Sequence, residues 1–209
     1  MVRTESVTFE YDANNHFTFP DLTVKEGENL LILGASGVGK TTLLHLIAGL
    51  LRPKSGKIII GETTITNLPN RRMDAFRGAN IGPVFQRPFF IQSLTVGENL
   101  DLIRFLAKRP QIPDYQREVL FQLGLSRKLK CYPRHLSIGE QQRLAIGIVL
   151  INRPKLILAD EPTSALDDKN CSKVVELLKN QTKNTNSNLI IITHDQRLKS
   201  SFTTSLNLT

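Results

Sequence analysis

The chain has no unbroken run of about 20 apolar residues, so no part of it is long enough to cross a bilayer as a helix. Its opening, Met1 to Glu10, alternates like a strand, which is not the pattern of a secretory leader. If the protein works on a membrane, a partner must provide the span. Cysteine is scarce. Cys131 and Cys171 stand far apart without metal-ligand spacing, which speaks for reduced thiols in a cytosolic protein rather than a disulfide. There is no long basic run of the kind that forms a nucleic-acid arm, although Lys and Arg number 27 against 19 Asp and Glu, a formal charge of +8. The basic residues are scattered, with short clusters at Arg71-Arg72 and Arg127-Lys128-Lys130. That balance suits nucleic acid, an anionic membrane face, a polyanionic nucleotide, or simply a solvated basic surface. What is present is a core: 209 residues at 40% hydrophobic content suit one α/β domain with a small inserted subdomain and exclude a disordered chain.

The most informative stretch is Gly34-Ala35-Ser36-Gly37-Val38-Gly39-Lys40-Thr41, followed by Thr42. It fits the phosphate-loop pattern G-x-x-x-x-G-K-[ST] without a mismatch. The apolar run at 30–33 reads as a buried strand before it, and 43–51 as a buried helix after it. Glycines let the backbone come close to phosphate. The helix start offers free N–H groups and a partial positive charge to an anion. Lys40 can reach the β- and γ-phosphates, and the Thr41 hydroxyl can bind Mg²⁺. The chain binds a nucleoside triphosphate on this reading.

Residues 2–10 and 16–24 predict strands joined by a hairpin turn at Asn14-Asn15. Tyr11 closes the first strand, as a base-stacking aromatic or as an ordinary strand residue. Strands follow at 57–60 and 81–85. The second exits into Gln86, whose amide oxygen can meet a metal or water, or face solvent as a loop residue. From about 87 to 150 the pattern turns helical. Thr95 with Glu98 spells a capping box, and so does Ser137 with Glu140. The first opens a helix through about Lys108, and Gly124 ends another begun at Tyr115. Phe89, Phe90 and Ile91 suit either a partner-facing patch or the core of this helical insert. The Ser137 helix start, with the nearby glycine Gly139, makes a second anion site or an ordinary cap. The strand 156–161 ends in Asp160 and Glu161: Asp160 can hold Mg²⁺ through water while Glu161 polarises an attacking water. A helix is predicted from Asp168 to Asn180 and a polar loop to about Asn188. The last buried strand, 189–193, delivers His194, a candidate sensor of the γ-phosphate. In doubly wound sheets ligands sit beyond the strand C-terminal ends, where Gln86, Asp160, Glu161 and His194 converge beside the phosphate loop.

Taken together these motifs resemble the nucleotide-binding subunit of ABC transporters over essentially the whole chain. The Walker A loop is 34–41, with Tyr11 where the family has its base-stacking aromatic. Gln86 matches the Q-loop, 136–142 the signature, 156–161 Walker B, Ser164-Ala165-Leu166-Asp167 the D-loop, and His194 the switch histidine. The stretches around Arg77 to Gln86 and Glu140 to Arg143 look like the lipoprotein-release and macrolide-export branch. The signature departs from Leu-Ser-Gly-Gly-Gln, with Ile138 for the first glycine and Glu140 for the glutamine. The resemblance implies a P-loop NTPase core with a parallel sheet, an N-terminal antiparallel β subdomain and an inserted α-helical subdomain. It divides residues 1–209 into a catalytic core (1–86 and 151–209) and a helical part (about 87–150).

The resemblance further implies an ATPase that takes ATP and Mg²⁺. Gly34, Ser36, Gly37, Val38, Gly39, Lys40, Thr41 and Thr42 hold the phosphates, with Thr41, Gln86 and Asp160 around the metal. Lys40, Glu161 and His194 are catalytic. Two chains, as a homodimer or heterodimer, sandwich two ATPs, with Ser137 and Gly139 closing the partner's site. The dimer then moves an integral-membrane transporter subunit, from a cytoplasmic position at the inner face of the membrane, with no direct nucleic-acid contact. The rival readings are an ABC-type ATPase acting on nucleic acid or ribosomes, a phosphate-loop kinase or GTPase, and a cassette that only binds ATP. The single cassette, the missing Asn-Lys-x-Asp motif, and the intact Glu161 and His194 speak against them in turn.

Overall fold

The computed structural model describes residues 1–12, 15–164 and 166–209. The apolar runs form a five-stranded, all-parallel sheet ordered β10 (Ser205–Asn207), β4 (Asn29–Leu33), β9 (Asn188–Thr193), β8 (Leu156–Asp160), β7 (Ile81–Val84). Alternate residues of its central strands are buried on opposite faces. Leu30, Ile32, Leu158 and Ile192 share a core with α1 (Lys40–Ile47), while Leu31, Ile157, Ala159 and Ile191 pack with α5 (Ile138–Leu150) and α6 (Asp168–Thr185). Burial on both faces is why these strands read as continuous hydrophobic runs.

A second, antiparallel sheet is built on β1 (Val2–Asp12). It pairs with β2 (Asn15–Thr18) and β3 (Leu22–Val24), and with β5 (Ser55–Ile60), which carries β6 (Thr63–Thr64) at the edge. The single strand predicted at 16–24 is thus two. Pro20, between them, has no N–H to give to a ladder. Beside the break Ser6 turns through φ +48° and its N–H goes to the Asp21 carboxylate at 2.6 Å. Of the predicted hairpin turn, Asn14 lies outside the described residues.

Between β7 and β8 come α3 (Val96–Leu106), α4 (Pro113–Gln122) and α5, which pack on Leu100, Val119, Leu120, Leu144 and Ile146. Both capping boxes form: Thr95 and Ser137 each accept the N–H of their Glu, and each Glu accepts the N–H of its cap. Gly124, at φ +68°, follows the end of α4. Among the described residues, α2 (Asn70–Asn80) and β10 lie beyond the predicted set, and α6 runs longer than predicted. The helix α2 buries only Met73, too thin a stripe to show as periodicity. The helix α6 passes its predicted end at 180 because Thr182 is buried there, donating to the Lys179 carbonyl (2.9 Å) and to Asn29 (3.2 Å). The short β10 completes the sheet edge. The registers Leu33↔Thr193, Asp160↔Ile192 and Val84↔Ala159 level the strand ends, so Gly34, His194, Glu161 and Gln86 emerge along one edge.

Candidate functional site

At that edge the structure holds a cavity of about 480 Å³ lined by Phe17, Ser36, Gly37, Gly39, Lys40, Thr41, Thr42, Gln86, Asp160, Glu161 and His194. A larger polar cleft of about 700 Å³ separates α4 from α6, without any of the predicted site residues. The loop begins as β4 ends. Gly39 is the N-cap of α1 at φ +91°, and a Cβ there would stand 2.7 Å from the Phe17 ring, so only glycine fits. Lys40 folds back on its own loop, donating to the carbonyls of Gly34 (2.8 Å) and Ala35 (2.7 Å). Val38 turns its side chain into the core, which leaves its backbone N–H as the group it can offer a phosphate.

Thr41 donates its hydroxyl to Asp160 at 2.9 Å, across 119 positions of sequence. Asp160 is buried, and burial pushes its carboxyl above the ordinary value against the opposing pull of Thr41. Among the described residues no three His, Cys, Asp or Glu side chains gather as a metal site. The donors here are instead a carboxylate, a hydroxyl and the Gln86 amide, the hard oxygen set that Mg²⁺ takes while keeping several waters. The residues therefore fit Mg²⁺.

Glu161 sits at φ +49°, a left-handed turn that a side chain adopts at a cost of about 1–3 kcal/mol. The turn points its carboxylate back across β9. Oε2 accepts the Thr193 hydroxyl at 2.6 Å, while Oε1 accepts the His194 backbone N–H at 3.0 Å and lies 2.6 Å from the imidazole Nδ1. The carboxylate is almost sealed at 8% exposure and the imidazole is 71% exposed, so the pair runs from protein interior to cavity mouth. An oriented carboxylate beside an imidazole is an arrangement suited to ordering a water and taking its proton.

Tyr11 stands next to this cavity rather than in its wall. Its hydroxyl meets that of Thr42 at 3.3 Å, and its ring, 57% exposed, packs edge-on to Phe9 and Phe17. Phe17 is the aromatic that lines the cavity, and no motif in the sequence of β2 marks it. Thr193, equally unflagged, was legible only as the neighbour of His194. Ser137 and Gly139 do not line the cavity; they open α5 with Ser137 exposed and Ile138 72% exposed. Of the Phe89, Phe90 and Ile91 cluster, Phe90 belongs to the core, while Phe89 is 80% exposed. In the 164–167 stretch, Ala165 lies outside the described residues.

A family profile described as ABC transporter matches residues 18–164. A lipoprotein-releasing system ATP-binding protein, LolD, from Geobacter metallireducens is 41% identical over 182 residues, 86% of this chain and 81% of that protein. A putative hemin import ATP-binding protein, HrtA, from Staphylococcus haemolyticus is 41% identical over 183 residues, covering 85% and 81%. Among solved structures, the dimeric post-hydrolysis state of the ATP-binding cassette MJ0796 bound to ADP and Pi superposes with a TM-score of 0.90 at 33% identity, covering 100% of this chain and 94% of that one. The fold has its counterpart here and the family profile spans the phosphate loop: the chain belongs to the ABC transporter family, as an ATP-binding and ATP-hydrolysing subunit.

Proposed function

We propose that two copies of this chain close head to tail around two ATP molecules, each finishing the other's site, and that this closure drives a membrane subunit. The observation that carries the reading is a division: Lys40, Thr41, Asp160, Glu161 and His194 share one cavity, while the exposed helix start at Ser137 and Gly139 lies outside it. A second chain is the economical source of the missing half. The dimeric state of the MJ0796 cassette supports it.

In this scheme Gly34, Ser36, Gly37, Val38, Gly39 and Thr42 hold the phosphates, and Lys40 exchanges its two loop carbonyls for β- and γ-phosphate oxygens. Tyr11 and Phe17 flank the base. Thr41 and Gln86 would ligate Mg²⁺, with Asp160 acting through water, and the ion bound there would offset phosphate charge. Glu161 orients water and accepts its proton, and His194 keeps water and γ-phosphate in line. Residues 1–86 and 151–209 form the catalytic body, and 87–150 the helical arm that presents Ser137.

A mostly apolar groove of about 440 Å³, lined in part by Phe85, Phe89, Ile103, Leu106, Ile148 and Val149, begins where the strand before Gln86 ends. We place the cytoplasmic face of a transporter subunit there, which would hold this chain peripherally at the inner side of a membrane. No described helix is long and apolar enough to cross one. Light scattering of Glu161→Gln with and without Mg-ATP tests the reading. A nucleotide-dependent rise from one chain to two is expected, abolished by Ser137→Arg with monomer ATP binding intact. Loss of nucleotide binding by the Ser137→Arg monomer refutes the shared site.

A further inference from the structure

Behind the Glu161/His194 pair lies a second polar cluster that no motif covers. Asp195, next in chain after His194, accepts the Thr163 hydroxyl at 3.0 Å, and Thr163 lies two residues after Glu161. The same carboxylate receives Arg197 through its backbone N–H (3.0 Å), Nε (2.9 Å) and Nη2 (2.7 Å). The guanidinium then reaches the other way. Nη1 donates to the Asp168 carboxylate at 2.5 Å and toward the Leu166 carbonyl at 3.4 Å. Arg197 therefore grips both turns at once, the one leaving β8 with Glu161 and the one leaving β9 with His194.

The location gives the grip its consequence. The β8/β9 ladder has its last paired residues at Asp160↔Ile192, and Glu161 adds one backbone bond to Ile192 at 2.9 Å. Beyond that point the spacing of Glu161 and His194 is set by side chains. Thr193 ties Glu161 from within, accepting the Asp195 N–H at 2.9 Å while donating to the carboxylate. Thr163, Asp195 and Arg197 tie the same two turns from outside. A lone exposed ion pair contributes little. Here, however, Asp195 is only 11% exposed and takes a forked guanidinium, the geometry in which direction is fixed as well as charge. Arg197 holds the Asp195 carboxyl below the usual range, consistent with a standing contact.

We propose that Arg197 is a positioning residue for ATP hydrolysis, bracing the two turns so that Glu161 and His194 stay in register with the bound γ-phosphate. The inference rests on the assignment of Glu161 and His194 to the chemistry. Lysine cannot replace it fully, since one ammonium does not span Asp195 and Asp168 in a fixed fork.

The experiment compares the intact chain with Arg197→Met, Arg197→Lys, Asp168→Asn and Glu161→Gln, reading kcat, KM, binding of a fluorescent ATP analogue and the thermal midpoint. Arg197→Met is expected to keep analogue affinity within about twofold and lose about tenfold in kcat, roughly 1.4 kcal/mol in the barrier. Arg197→Lys should recover part of that loss, and Asp168→Asn, which removes one end of the grip, should show part of it. An unchanged kcat in Arg197→Met, with Glu161→Gln inactive, overturns the brace and leaves the Glu161 assignment standing. Glu161→Gln turning over at the native rate overturns that assignment instead. If Arg197→Met does not fold, Arg197→Lys and Asp168→Asn decide: kcat lowered at constant affinity supports the brace. Native kcat, or affinity and midpoint falling together with kcat, refutes it.

Discussion

Replacing Asp160 by Asn separates the two things this buried carboxylate does. Without nucleotide it is a charge in a poor place: buried, with its pKa pushed up by that burial, and held by one neutral hydroxyl from Thr41. Between its ordinary value and the raised one, the folded chain keeps a proton that the unfolded chain has lost. Its share of stability therefore declines as pH rises through that window, and above it the full penalty persists. Asparagine keeps the acceptor for Thr41 and removes the charge. The uncompensated desolvation is on the order of 1 kcal/mol. At about 2–4 °C per kcal/mol for a chain of this size, the midpoint in EDTA should rise by roughly 2–4 °C, with a flatter dependence on acid pH.

With nucleotide the sign reverses. Mg-ATP at about a hundred times its Kd stabilises the native chain by about 2.7 kcal/mol, which the same scale converts to roughly 5–11 °C. Losing a carboxylate that orients the metal typically weakens metal affinity by about 10–100-fold. At the upper figure the nucleotide gain in Asp160→Asn shrinks to about 0.4 kcal/mol. Differential scanning fluorimetry with ATP plus EDTA, then ATP plus Mg²⁺, reads both effects on one sample. An Mg²⁺-dependent increment in Asp160→Asn equal to the native one refutes the placement of the metal. A lower midpoint without nucleotide refutes the reading of the carboxylate as a strained group.

Gly39→Ala should lose about 1–3 kcal/mol of stability from its left-handed backbone, and its Cβ would meet Phe17. Isothermal titration should then show no ATP binding. Phe17→Ala should weaken ATP about 2–12-fold, the worth of one aromatic stacking contact. Tyr11→Ala with unchanged affinity would return Tyr11 to the role of a strand aromatic braced on Thr42. Ile138→Gly removes an exposed side chain beside Ser137 and should raise kcat in a steady-state assay; a fall would mean that Ile138 packs productively across the dimer. Phe89→Asp puts a charge on the apolar groove and should lower recovery with membranes carrying the transporter subunit by about tenfold or more, as expected of a central aromatic anchor.

The parts of this molecule that were legible in the sequence are those whose physics is local. A capping box needs only four consecutive residues, so Thr95 and Ser137 were found and both caps form as read. A buried strand needs only a short apolar run, and the loop after β4 announces itself by its glycines. Parallel strands with helices between them then bring their carboxyl ends to one edge, which is why Gln86, Asp160, Glu161 and His194 can be gathered from the sequence alone. Where stability came from a distant partner, the sequence was silent. Nothing in Gln181 to Thr185 says helix until Asn29 is seen receiving the Thr182 hydroxyl from 153 positions away. Pro20 was visible, but its power to split a strand depends on Ser6 turning opposite it. The same limit governs the site. His194 stands out because a histidine at a strand end is uncommon, whereas Thr193 and Arg197 are ordinary residues whose meaning is their partners: a carboxylate 32 positions back for the one, two turns at once for the other. Motifs therefore name most of the groups that line the cavity, Phe17 being the exception. The groups that hold those groups still are selected by geometry alone, and substitutions there should change kcat at constant affinity, the opposite of what changes in the phosphate loop should do.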